Sequence, residues 1–244
     1  MPEGPRPVRW SVRLVAESFV VVASILAAFA LDAWWDRRSE SAALREALDG
    51  VRLELLSNRD LLNREEARLT RIIEAADAML ELMQVNEGQR SVEVTDSLAF
   101  LVSNWAPSLE VSLGAVDALV ATGQLAEVGD PRLRLGLAGL RDRFADVIED
   151  ELVARQFHVE QFVPALAGQM DLTVFSRLDK EFSPGPTAEQ LPVPHYDWVE
   201  YPNTRELRSI LYSKAGWYGS ARRECTALVV HLDELVAMTV EEMR

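Results

Sequence analysis

A single cysteine, Cys225, stands in 244 residues, which excludes an internal disulfide framework and any multi-thiolate zinc site. Only three histidines occur, on three separate segments. Lysine is scarcer still, with Lys180 and Lys214 alone among 25 basic residues, a compositional bias rather than a mechanism. Basic side chains of both kinds are outnumbered by 39 carboxylates, leaving a net charge of −14. That balance excludes a general nucleic-acid binder, which needs a basic face for phosphates, so no nucleic-acid partner is expected. Mean hydropathy near zero, −0.02, excludes a polytopic membrane protein. No period-2 strand pattern appears, and the length is ample for a buried core.

The apolar residues are unevenly spread. Phe19 to Leu31 reads FVVVASILAAFAL, with one serine and no charge. Extended to the flanking charges, Leu14 to Trp35 gives 22 residues, about 33 Å of helix against a hydrocarbon core of about 30 Å. Glu17 and Asp32 fall within about a turn of the ends, where a carboxylate reaches water at modest cost. Trp10 on one side and Trp34-Trp35 on the other suit interfacial belts. The candidate anchor residues are Phe19, Val20, Val21, Val22, Ile25, Leu26, Phe29, Leu31, Trp34 and Trp35, and the bilayer is the partner they imply. Two rival readings share these ingredients. One is a cleaved signal peptide with Ala28-Phe29-Ala30 at the cleavage site, giving a secreted helical protein; the other is a buried core helix. The tryptophan pair favours a retained anchor, because a cleaved product would begin on exposed Leu-Asp-Ala-Trp-Trp. Three basic residues precede the span (Arg6, Arg9, Arg13) and Arg37-Arg38 follow it, a weak bias toward a cytoplasmic N-terminus.

After the span the apolar positions step by fours and threes: Leu44, Leu48, Val51, Leu55, Leu62, Leu69, Ile72, Ala76, Met79 and Met83. This heptad seam carries Asn58 and Glu65 at two of its positions. Neither proline nor glycine interrupts Val51 to Val85, so one helix of roughly 40 to 50 residues is expected, running straight on from the span. Leu44, Leu48, Val51, Leu55, Asn58, Leu62, Glu65 and Leu69 form a candidate association seam. Packing of the same stripe within its own domain is the plainer reading, because Asn58 and Glu65 weaken a free coiled coil.

Asn86-Glu87-Gly88-Gln89 signals a turn. Thr95 or Asp96 caps a short helix through Val102, ended at Trp105-Ala106-Pro107. A second short helix covers Val111 to Ala121, stopped by Gly123. Asp130-Pro131 opens a long helix through Leu133, Leu137, Leu140, Phe144, Val147, His158, Phe162 and Leu166 to about Ala167. Gly136 and Gly139 within it suggest close approach of a neighbour. Residues 183–202, with Pro184, Pro186, Pro192, Pro194 and Pro202 among His195, Tyr196, Trp198 and Tyr201, read as an ordered strap against the helices. Asn203 or Thr204 then caps a helix to the end, striped by Leu207, Leu211, Tyr218, Cys225, Leu228, Leu232 and Leu235, with Arg222-Arg223 and Glu241-Glu242 facing out. The expected fold is all-α: an N-terminal transmembrane helix, then a bundle of long antiparallel amphipathic helices with two short ones between. Residues 1–13 form a basic arm, 14–35 the span and 36–244 an acidic helical domain.

No catalytic constellation emerges. His158-Val159-Glu160 matches the start of a zinc-deaminase motif, but that chemistry needs two cysteines and Cys225 is alone. Paired-histidine zinc helices, phosphate-cradling glycine loops and nucleophile elbows are missing. His158, His231 and Cys225 lie on apolar stripes and read as packed residues. Glu149-Asp150-Glu151 reads as a solvated helix face, since hard cations prefer wrapping loops. Trp105 and Trp198 read as packing anchors. No catalytic residue, cofactor or metal is expected, and the chain is not expected to be an enzyme.

The order of features resembles a group of uncharacterised bacterial single-pass proteins carrying a helical domain of unknown function. Ala16-Glu17 is similar to the start of their span and Asp32-Ala33-Trp34-Trp35-Asp36-Arg37 to its exit. Pro107-Ser108, Thr122-Gly123-Gln124-Leu125 and Gly129-Asp130 are similar to their mid-chain landmarks, and the long C-terminal helix matches in position. Ala16 stands where the group has glycine, Asp32 where it has an amide, and the basic arm is thinner. The resemblance implies a membrane-anchored helical protein and supplies no catalytic residues. A non-enzymatic scaffold or accessory protein of the inner membrane follows, its bulk periplasmic, working through a protein partner or self-association. An extracytoplasmic small-molecule sensor, holding a ligand near Trp105, His158 and the strap, is the alternative.

Overall fold

In the computed structural model the described residues are 8–84, 92–104, 109–168 and 205–244. Among them all regular structure is helical, and one long N-terminal helix is apolar enough to cross a membrane. Helix α1, Val8–Leu82, runs 75 residues without a break, about 112 Å at 1.5 Å per residue. Span and seam are therefore one rod, as the uninterrupted pattern implies. Proline is absent between Pro7 and Pro107, so nothing removes a ladder hydrogen bond along the way. Gly50 is the rod's one glycine, and a Cβ there would meet Ala115 at only 4.0 Å.

Helix α2, Val92–Ser103, packs on the far end of α1, and α3, Gly114–Ala121, on its middle. Both begin a few residues from where the sequence places them, and at α3 the Glu54 carboxylate of α1 accepts the first N–H groups. Gly123 has φ +80° and its N–H meets the Val120 carbonyl, the left-handed stop expected of a glycine after a helix. A 3₁₀ turn, Gln124–Glu127, leads to Asp130, whose carboxylate accepts the Arg132 N–H at 2.8 Å. Pro131 then opens α4, Pro131–Ala138.

The single long helix expected from Pro131 is instead segmented. Helix α4 stops at Gly139, and α5 covers Leu140–Phe157. A π-helical turn, His158–Phe162, follows, then α6, Val163–Ala167. Pro164 has no N–H and crowds the carbonyl four residues back. The wider turn relieves it, with Val163 N–H reaching back five residues to the His158 carbonyl. It also resets the stripe, so that Phe162 and Leu166 stay buried after His158. Gly136 is a true close approach, since a Cβ there would collide with Leu235. Gly139 is not; its nearest neighbour is its own helix's Leu135 carbonyl.

Helix α7, Arg205–Glu242, is the keystone of the bundle. Arg59–Asp233 and Glu66–Thr226 bonds place it antiparallel to α1 without slip. Asp150–Ser220, His158–Lys214 and Gly136–Leu235 proximities place it antiparallel to α4–α6 as well. The core divides into two clusters. The larger runs from Leu48 to Ile72 on α1 with α4, α5 and the C-terminal half of α7. The smaller joins Ala75–Met83, α2, Phe157–Leu166 and the start of α7. The Asn86–Gln89 turn, Trp105, the 183–202 strap with His195 and Trp198, and the Asn203/Thr204 cap lie outside the described residues.

Candidate functional site

The candidate anchor residues share one fate. Every large apolar side chain from Phe19 to Trp35 is exposed, from 50% at Ile25 to 73% at Phe19. No part of the span's apolar window is buried. A core helix buries such side chains, so the rival reading of a buried N-terminal core helix is not met. Ser24 donates its hydroxyl back to the Val20 carbonyl at 2.7 Å, which leaves no free hydroxyl donor on that surface. Just past the span, Trp34 and Trp35 stand with ring centres 6.4 Å apart, and the Arg38 guanidinium lies 5.8 Å from the Trp34 ring centre.

The candidate seam is spent inside the chain. Leu48, Val51, Leu55, Leu62 and Leu69 are buried in the larger core cluster, and Leu44 is half-buried at its edge. Asn58 earns its place by a two-point clamp: its amide donates to the Ser112 carbonyl at 2.6 Å and accepts the Ser112 N–H at 3.1 Å. One helical turn earlier, the Glu54 carboxylate accepts from the N–H groups of Ala115 and Val116 and from the Ser112 hydroxyl. Glu54 thus caps α3 from outside. Glu242, expected to face out, instead turns in to accept the N–H groups of Gly129 and Asp130. These caps tie the 109–130 segment to α1 and to the end of α7.

Glu65 and Glu151 form a second kind of polar insertion. Both are buried, and each leaves its Oε1 without a hydrogen-bond partner among the described residues. Glu151 was expected on a solvated face; it accepts the Leu109 N–H at 3.2 Å instead. Burial pushes the Glu65 carboxyl up to about 7, with Arg68 opposing and Glu151 adding to the rise. Burial raises Glu151 too, against the Leu109 bond and Arg155. Cys225, on the facing side of α7, is a packed thiol driven up to about 12 by burial and by these carboxylates. A thiol so held is inert as a nucleophile.

The distal cluster centres on Lys214, 0% exposed. Its Nζ lies 2.6 Å from His158 Nδ1 and 3.2 Å from the Asn104 carbonyl. The faces of Phe162 and Tyr218 close around it, ring centres at 4.1 and 4.7 Å. With the imidazole neutral and its proton on Nε2, Nδ1 accepts from the amine. Burial holds His158 down at about 3, aided by Lys214, and burial also drives Lys214 well below its ordinary value. The Asn104 carbonyl, the His158 ring nitrogen and two ring faces surround the amine in place of water. His231, half-buried near Glu234, is likewise lowered by burial first.

Sequence reasoning missed Lys214, although a signal exists. It fills the gap between Leu211 and Tyr218 on the α7 stripe, where an apolar residue belongs, in a chain that otherwise uses arginine. Among the described residues no group of three histidine, cysteine or acidic side chains is placed to hold a metal. No family model, curated protein or solved structure matches this chain.

Proposed function

We propose that the protein is a non-enzymatic scaffold or accessory protein of the inner membrane, anchored by residues 14–35, whose helical domain associates with a protein partner. The observation that carries this reading is the contrast within α1: an apolar half exposed on all sides continues directly into a rod that carries its own packed bundle. Lipid is the solvent such a surface asks for. Arg6, Arg9 and Arg13 retained inside leave the bundle in the periplasm. The kinship with uncharacterised single-pass bacterial proteins is part of the same proposal, carried by the order of the motifs.

With the heptad seam consumed internally, association falls to another surface. An open apolar groove of about 590 Å³ lies between the end of α3, the 3₁₀ turn and α4. Leu135 stands 76% exposed there, beside Val120, Leu125, Pro131 and Arg134. The test is a photo-crosslinking residue at Leu135 in intact membranes. A discrete adduct, lost in Val120→Asp, is the expected result; a strictly monomeric chain with no adduct overturns the association reading. A reporter fused after Arg244, active on one face of the membrane only, decides the orientation.

A further inference from the structure

We propose that the face formed by Trp34, Arg37, Arg38, Ser41 and Arg45 binds the phosphate of an anionic lipid headgroup. The site rests on the anchored reading. These residues follow one another at three, four, seven and eleven positions from Trp34, the spacing of a single helical face. They line one shallow recess of about 340 Å³. Among the described residues none of the three arginines forms an ion pair with an acid. Arginines elsewhere do, as Arg59, Arg132 and Arg141 show.

The acids at this level lie across the rod. Asp32, Asp36 and Glu40 form their own row, four residues apart, centred on the far side of α1, with Glu40 at its margin next to Arg37. Charge is thus sorted by face in a chain whose total is −14. Sorting of this kind does nothing for the bundle, which begins only at half-buried Leu44. It does give an anion one approach on which arginines outnumber carboxylates. Ser41 donates its hydroxyl to the Arg37 carbonyl at 2.8 Å, so the donors this face offers an anion are the three guanidinium groups.

Height argues for lipid rather than a soluble anion. Arg37 and Arg38 lie within about 5 Å of the end of the span along the axis, inside a headgroup layer about 5–7 Å deep. Arg45 starts about 15 Å up, but side chains on a helix lean toward its N-terminus, which here is toward the bilayer. Trp34 supplies the indole that prefers the interface, and the guanidinium of Arg38 already stacks over it. A headgroup clamped there fixes both the depth of the anchor and the rotation of the rod above it.

The experiment uses the full chain in mild detergent, given equal amounts of dioleoyl phosphatidylglycerol and dioleoyl phosphatidylcholine, with retained lipid read by native mass spectrometry. The expected result is about a tenfold excess of the anionic lipid, the scale set by one or two headgroup-level charges. The triple variant R37Q/R38Q/R45Q brings the ratio to about one. The variant R64Q/R71Q/R208Q, which removes equal charge from exposed positions elsewhere, leaves it unchanged. Equal retention by the wild type, or a preference that survives the first triple variant, overturns the site. Displacement of the lipid by millimolar inorganic phosphate at matched ionic strength makes it a soluble-anion site and overturns the lipid assignment. Carbonate extraction of the same membranes separates the two readings: release of the chain overturns anchor and site together, whereas pelleting with equal retention overturns the site alone.

Discussion

Helix α1 carries two apolar stretches with opposite surroundings. From Phe19 to Leu31 the side chains are apolar in every direction and exposed in every direction. From Leu48 to Met83 they are apolar in one direction only, and that direction is buried against α7 and its neighbours. The same backbone leaves one stretch exposed and the other buried. Periodicity makes the difference, because a one-sided stripe specifies where a partner helix must lie and an all-round apolar surface specifies none.

The largest effect breaks that contrast at its exposed end. Val22→Arg with Leu26→Arg places two guanidinium groups near the bilayer centre, each costing about 2.5–3.5 kcal/mol on insertion scales. Carbonate extraction should move this variant to the supernatant while circular dichroism of the bundle stays helical. A variant that still pellets would mean that the span does not hold the chain in the membrane.

At the buried end, Leu62→Ala removes a fully buried side chain and should cost about 2–5 kcal/mol of bundle stability, as core truncations do. Leu26→Ala, equally apolar but 63% exposed, should leave the unfolding midpoint of the bundle unchanged. Chemical denaturation in detergent measures both. Equal losses would erase the distinction between the two stretches.

Much of this was legible in advance, for reasons particular residues make plain. Thirteen uncharged positions from Phe19 need no tertiary information to read. Three-and-four spacing found every buried position from Leu48 to Met79 except Ala75, since an amphipathic rod buries that stripe and little beside it. Asp130-Pro131 and Gly123 were readable because capping is local. What escaped was decided at a distance. Glu151 sits on the stripe of Phe144 and Val147, yet its acidic neighbours disguised it, and only the Leu109 N–H explains why it is tolerated. Glu242 turns inward because the Gly129 and Asp130 N–H groups arrive from 113 and 112 residues away. The π-helical turn follows from Pro164, whose missing N–H was visible but whose consequence depends on keeping Phe162 against α7.

The two buried polar clusters sharpen the comparison within the bundle, since they titrate in opposite senses. Lys214 has a folded value depressed by burial. Its contribution is complete above the unfolded lysine value of about 10.5 and is lost as pH falls. Lys214→Met removes the titration. Between pH 7 and pH 10 the wild type should therefore gain on the variant by up to about 1.4 kcal/mol per pH unit, read by denaturation at each pH. A gap that is constant over that range would mean the amine stays charged at no cost, solvated by His158, the Asn104 carbonyl and the two rings.

Glu65 supplies the smaller and opposite slope. Its folded value of about 7 lies above the ordinary carboxylate value of 4.5, so the native state holds the proton more tightly than the unfolded chain. Stability from this group is complete below about pH 4.5 and is lost as pH rises through 7. The groups that shape it are Arg68 on α1, Glu151 on α5 and the thiol of Cys225 on α7. Glu65→Gln keeps the shape and removes the charge, so the wild type should be favoured over the variant at pH 5 and lose that advantage by pH 8. His158 works against the trend below about 6.5, where acid begins to charge a ring that the fold keeps neutral. Because both proteins retain His158, its slope cancels in the difference between them, and what remains belongs to the carboxylate pair. If that difference shows no dependence on pH, the Oε1 of Glu65 has found a charge or a water to hold it, and the Glu65–Glu151 pair is as fully satisfied as the Asn58 clamp two turns before it.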